Sequence, residues 1–287
     1  HPPNVSGSGS ASKTPSTLFS SSTAPIASMR GASFATREPS ARPVVPPSPN
    51  GPRARRRPVL AVVQRPCAST LVGCVLAALF LAMCRVWARY PLLPVEPKAI
   101  LIITAHWETR TPSFTGGAHP SLIYDYYGFP PETYELTYPA PGLPSLAHRA
   151  ADLLKQAGFP SLVEEDYGWD HGVFIPLKVM YPEAHVPVVA MSLHESLNPE
   201  LHSHLGRALA PLRDEGVLIV GAGMSYHNLR NFSDYASESY AFHDWIDQTV
   251  QAGWQERCDK LAHWQTAPGG RASHPREEHL LPLMVAS

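Results

Sequence analysis

Cysteine is nearly absent beyond residue 92 of this 287-residue chain: of four cysteines, only Cys258 lies there. That scarcity excludes a disulfide framework and a Cys-based zinc site. Acidic residues are scarce at the other end. Residues 1–68 hold nine Lys or Arg against one acidic residue, Glu38, leaving 14 basic and 23 acidic residues for the rest. A basic leader before a mildly acidic body argues against nucleic-acid binding by the body. Long apolar runs are also missing. The run Ser69–Cys84, bounded by Arg65 and Arg85, falls short of the roughly 20 residues a spanning helix prefers, and suits a signal-peptide core or marginal membrane tether.

The first forty residues include eleven Ser with scattered Pro, Gly and Thr. They bury too little apolar surface to offset the entropy of ordering. Residues 1–68 are therefore expected to be an unstructured leader, followed by a short apolar segment and linker over 69–92. An acid-poor, Ser/Arg-rich composition also suits an organelle transit peptide. The missing Met at position 1 favours the alternative, a poorly bounded gene model.

From about Leu93 the pattern changes. Lys98–Ala105, Val186–Leu193 and Gly216–Gly223 are apolar runs rich in Val and Ile, as in strands buried on both faces of a parallel sheet. Helical patterns separate them. One spans Leu143–Gly158, another follows Asp170, and a third opens with Asn198 as cap and Pro199 in the first turn. Further helices are expected over Ser233–Ala252 and Pro275–Val285. This alternation predicts right-handed crossovers and a three-layer α/β/α sandwich around a mostly parallel sheet.

Ligands gather beyond the carboxyl ends of strands in such sheets. Thirteen of the 14 histidines lie at or after His106, and His106, His194 and His227 each follow one of the three strands. Neutral imidazole binds iron and zinc well, which makes His106 and His227 candidate ligands. The pair Gly221 and Gly223 before His227 gives the backbone freedom to turn and space for a ligand. His171, in "DHG", suits either a helix-entrance polar residue or a proton donor and acceptor working near neutral pH. In "SHPREEHLLPL", Pro275 reads as a first helical position with Glu277 and Glu278 in the first turn, where the dipole favours anions. His274 and His279 then lie about 140° apart around a helix, so only His279, inside it, belongs to a site. His119, His148, His185, His202, His204, His243 and His263 read as solvated.

The segment Gly116–Gly142 is rich in Tyr and Pro. Its rings suggest an ordered aromatic wall suited to a flat apolar substrate, or a loop pinned to the sheet by those same rings. Tyr126, Tyr127 and the neighbouring Trp107 are the candidate substrate contacts.

Taken together, "AILIITAHWET", "IYDYYGFPPETYELTYPAPG", "DYGWDHGVFIPLKVMYPEA", "VVAMSL", "GAGMSYHNLR" and "HPREEHLLPL" resemble the class III extradiol ring-cleavage dioxygenases, in the DOPA 4,5-dioxygenase branch. The likeness runs from about Leu93 to Ala286. It implies an α/β sandwich holding non-haem iron, Fe(2+), or zinc, Zn(2+), and acting on a small aromatic diol and O₂ in the cytoplasm. By position, His106 and His279 match metal ligands, His227 a ligand or the acid/base beside it, and His171 an acid/base or supporting group. Glu277 and Glu278 are weaker ligand candidates.

One departure stands out. The family opens with a strand ending in His-Gly-Ser-Pro whose histidine is also a ligand, and nothing here matches: upstream of His106 the one histidine is His1. "STLFSSSTAP", Ser16–Pro25, carries only a faint likeness. The expectation is a truncated catalytic domain over 93–287, lacking its first strand and binding metal weakly. Two other readings use the same residues: a zinc-binding hydrolase-like protein, and an inactive or fragmentary paralogue.

Overall fold

The computed structural model describes residues 60–64, 96–231 and 237–287. The Ser-rich segment before residue 60, "STLFSSSTAP" within it, and the apolar run Ser69–Cys84 lie outside the described residues. In chain order the elements are β1 (Leu60–Gln64), β2 (Ala99–Thr109), β3 (Ser113–Thr115), α1 (Pro144–Gln156), β4 (Leu162–Glu164), α2 (His171–Met180), β5 (Val188–His194), α3 (Pro199–Leu209), α4 (Pro211–Asp214), β6 (Val217–Met224), α5 (Ser237–Gln251), α6 (Trp254–Ala262), α7 (Gly270–Ser273) and α8 (Leu281–Ala286). Arg56–Ser287 forms one compact unit. Among the described residues no helix is long and apolar enough to cross a membrane.

The six strands run in the order β1-β6-β2-β5-β3-β4. All pairings are parallel except β3 with β5. Side chains of β2 alternate between faces, and the alternation builds the layers. Leu101 and Ile103 pack with Val189 and Met191 against α1, α3 and α8, whereas Ile100 and Ile102 join Val188, Ala190 and Val220 against Val173, Phe174 and Leu177 of α2. Every one of these side chains is fully or almost fully buried. Each one larger than Ala190 contributes roughly 1.5–3 kcal/mol of burial, so "AILIIT" is the spine of both cores. The three-layer sandwich is the architecture the sequence implies.

Local signals set the element ends. Asn198 Oδ1 accepts a hydrogen bond from the Leu201 N–H at 2.9 Å, and Pro199 opens α3. Gly158, at φ 87°, and Gly216, at φ 92°, take left-handed conformations just after α1 and just before β6, where a Cβ would strain the turn.

Two expectations are corrected. The sheet does not lack a strand before β2: Leu60–Gln64, inside the segment read as unstructured, lies parallel to β6 over five paired residues. "LAVVQ" is short and flanked by Arg and Pro, but its composition favours a strand, and the free edge of β6 supplies the backbone partners. Nor is Pro275–Val285 a helix. The helix is confined to Leu281–Ala286, and His279 sits in the turn before it, where Leu280 and Leu281 N–H both donate to the Glu277 carbonyl.

Candidate metal centre

Four histidines from distant segments meet at the carboxyl ends of β2 and β6. His106 sits on an irregularity in β2, where pairing with β5 jumps from Ile103↔Met191 to Glu108↔Leu193. Such bulges re-aim side chains beside sites. Thr104 fixes the bend: its hydroxyl donates to Asp170 Oδ1 at 2.7 Å and accepts the His106 N–H at 3.2 Å. His171 opens α2, which comes close to β2 because residue 172 is glycine. A Cβ there would lie 2.8 Å from both His106 Cδ2 and Thr104 Oγ1.

His227 and His279 arrive from the other side. Gly221 and Gly223 of β6 let the 279–282 segment lie directly on the strand, with would-be Cβ atoms 2.4 Å from the Pro282 carbonyl oxygen and 2.2 Å from that of His279. Met224 N–H donates to the same His279 carbonyl at 3.0 Å, and His227 N–H to Ser273 O at 2.8 Å. The glycine pair therefore makes room for backbone carrying His279, more than for a ligand.

The rings form one chain of contacts. His171 and His106 have centroids 4.0 Å apart, His106 and His279 5.0 Å, and His279 and His227 stack at 3.4 Å. A carboxylate serves each end. Asp125 Oδ1 lies 2.8 Å from His171 Nδ1, and its Oδ2 lies 3.4 Å from His106 Nδ1. Glu278 Oε1 lies 3.2 Å from Nδ1 of both His227 and His279. These make two groups able to hold a metal ion: His106, Asp125 and His171, and His227, Glu278 and His279. Arg276 braces the second, gripping Glu108 with two 2.6 Å hydrogen bonds and lying 3.4 Å from Glu278 Oε2.

Burial favours the neutral form of His106 and His279. Burial first, then the neighbouring His171 and His279, push His106 down to about 3, and burial likewise lowers His279. Burial alone would raise both carboxylates. Hydrogen bonds from His171 outweigh it and bring Asp125 to about 2; those from His227 and His279 hold Glu278 far below the usual range. Asp170, which accepts the Thr104 hydroxyl, is pushed up to about 6 by burial. Deprotonated nitrogen donors crowded together with ionised carboxylates are what a divalent cation requires, so the residues present fit a metal.

Of the residues singled out in the sequence, His106, His171, His227 and His279 come together. Tyr126 joins them, its ring edge-on to His171 at 5.6 Å and its hydroxyl donating to Thr133 O. Tyr127 is 91% exposed, and Trp107, 5% exposed, is stacked flat on Tyr167 at 3.9 Å. His194 turns to the Ser196 hydroxyl at 2.8 Å. His274 is buried between Phe242 and Trp264, where burial lowers it and His279, His227 and Glu278 lie close enough to act on it electrostatically. His202, read as solvated, is fully buried, its Nδ1 2.6 Å from Asn198 O and its Nε2 accepting the His194 N–H. Glu277 pairs with Arg271 at 2.9 Å and stays outside the cluster. Asp125 was missed; the signal was an acid inside an aromatic loop.

Imidazoles and carboxylates gathered at the carboxyl ends of parallel strands define a metal-dependent α/β enzyme. Comparison with known proteins narrows the class. The family model described as the catalytic LigB subunit of aromatic ring-opening dioxygenase matches residues 81–287. The dioxygenase tasH of Hapsidospora irregularis is 41% identical over 207 residues, covering 67% of this chain and 64% of that protein. The 4,5-DOPA dioxygenase extradiol of Beta vulgaris is 42% identical, covering 69% of this chain and 75% of that protein. A solved structure of an uncharacterized Escherichia coli K12 protein superposes with TM-score 0.58 at 33% identity, over 71% of this chain and 80% of that one. The chain belongs to the class III extradiol ring-cleavage dioxygenases, in their DOPA dioxygenase branch. That family implies a catalytic metal, an aromatic substrate and O₂.

Proposed function

We propose that this chain opens the ring of a DOPA-like or other small catechol with O₂, using non-haem Fe(2+), with Zn(2+) as the other metal its donors suit, held by His106, His227 and His279. The observation that carries this reading is the convergence of those three imidazoles on His279, whose ring lies 5.0 Å from that of His106 and 3.4 Å from that of His227. Iron bound there would supply the electron transfer that makes O₂ reactive toward an aromatic diol. The protein's part is positioning and proton handling. His171, with Nδ1 held by Asp125, has Nε2 left to take a proton from a substrate hydroxyl and later return it. Tyr126 is held by its hydroxyl bond, so its ring stands as a fixed wall beside His171. In balance, both atoms of O₂ enter the product and the ring C–C bond beside the diol breaks, giving an aldehyde and a carboxylate. The DOPA named for the Beta vulgaris relative supports a catechol bearing an amino-acid side chain.

The test is anaerobic loading of the full chain with Fe(2+), then addition of O₂ with DOPA, caffeate or catechol. The expected result is a yellow product and one O₂ consumed per diol. A metal-loaded chain that consumes no O₂ with any catechol would sink the reading, and ester or amide turnover with zinc alone would replace it with a hydrolase.

A further inference from the structure

Asp125 lies in the loop between β3 and α1, and its carboxylate divides between two histidines. Oδ1 accepts the backbone N–H of His171 at 2.9 Å and lies 2.8 Å from that residue's Nδ1, while Oδ2 is 3.4 Å from His106 Nδ1. The loop is held in register with the segment before α2: Ile123 N–H donates to Trp169 O at 2.7 Å and Trp169 N–H to Ser121 O at 2.8 Å. The chain two residues before Asp125 is therefore tied by backbone bonds to the chain two residues before His171. The Tyr126 ring closes on His171 from the same loop.

An imidazole nitrogen facing a carboxylate is favoured as N–H, because a lone pair there would meet a negative charge. We propose that Asp125 is a positioning residue, a shared carboxylate that sets His106 and His171 together in the Nδ1–H tautomer and leaves Nε2 of each as the acceptor. Its use in the reaction rests on the metal-centre reading above: one Nε2 faces a metal, the other a substrate proton. The arrangement itself does not. A carboxylate behind a ligating histidine is worth about 10–100-fold in metal affinity, and here one carboxylate would serve a ligand through one oxygen and its neighbouring acid/base through the other.

The competing account is that Asp125 only caps α2 through the His171 N–H. Asp125→Asn separates the two, because its amide oxygen still accepts that N–H while its NH₂ group faces His106 and can no longer accept from it. The measurement is the ¹⁵N ring-shift pattern of the histidines in metal-free protein, paired with Zn(2+) affinity by chelator competition. The wild-type chain is expected to show Nδ1–H at both His106 and His171. Asp125→Asn should move His106 to Nε2–H and weaken Zn(2+) binding by about 10-fold or more, with its thermal midpoint little changed. Nε2–H at either histidine in the wild type, or unchanged zinc affinity in a folded Asp125→Asn, would overturn the proposal. If the variant does not fold, the wild-type ring shifts decide alone. A chain with the expected tautomers and zinc affinities that opens no catechol would overturn the ring-cleavage reading and leave this one standing.

Discussion

At the scale of single residues, the site is a matter of which histidines are buried beside other histidines. His279 lies between His106 and His227, so His279→Asn should weaken Zn(2+) binding by about 10-fold or more, measured by chelator competition. His204→Asn, on an exposed helix face, should leave it unchanged. His202 makes a different prediction. Burial pushes it down to about 4 from 6.5, so between those values the unfolded chain binds the extra proton and stability falls as pH falls. Above about 6.5 the contribution is complete; by pH 4 it is lost, a change of roughly 3 kcal/mol. Denaturant melts of wild type and His202→Gln should therefore differ most at neutral pH and converge toward pH 4. A constant gap would show that His202 is not held neutral by the fold.

Elements meet at this site only because glycine stands where they cross. Gly172→Ala would put a Cβ against His106 and Thr104, with Asp170 Oδ1 at 2.9 Å. Its expected effect is a loss of metal affinity out of proportion to stability, because the atom displaced first is the imidazole. Gly223→Ala would collide with the His279 carbonyl oxygen, and backbone cannot yield as a side chain can. That variant is expected to lose several kcal/mol as well as metal, read by melts and chelator competition.

For the molecule as a whole, metal and fold should be linked. A ligand that binds the folded chain alone stabilises it by about 2.7 kcal/mol at 100 times its Kd. For a domain of this size that corresponds to a rise in Tm of about 5–10 °C. Scanning fluorimetry with Zn(2+) and then excess chelator should show the rise and its reversal. The same linkage makes Arg276 a partner of the whole assembly, since it ties the end of β2 through Glu108 to the turn carrying Glu278 and His279.

The sequence by itself determined the sandwich and pointed to the four histidines that the structure brings together. Runs of Ile and Val long enough to be buried on both faces can only be inner strands, and Asn198-Pro199 can only open a helix cheaply. His106 and His227 were legible because a strand end is a sequence feature. What only the tertiary structure decided depends on contacts between distant segments. Pairing with β6 turned "LAVVQ" from leader into strand; lying on Gly221 and Gly223 turned Pro275–Leu280 from helix into turn; and docking of the aromatic loop brought Asp125 to two histidines while leaving Tyr127 in solvent. Local pattern fixes which way a side chain points along its own element. Which charge waits for it there is set by a partner 46 residues away, as Asp125 is from His171.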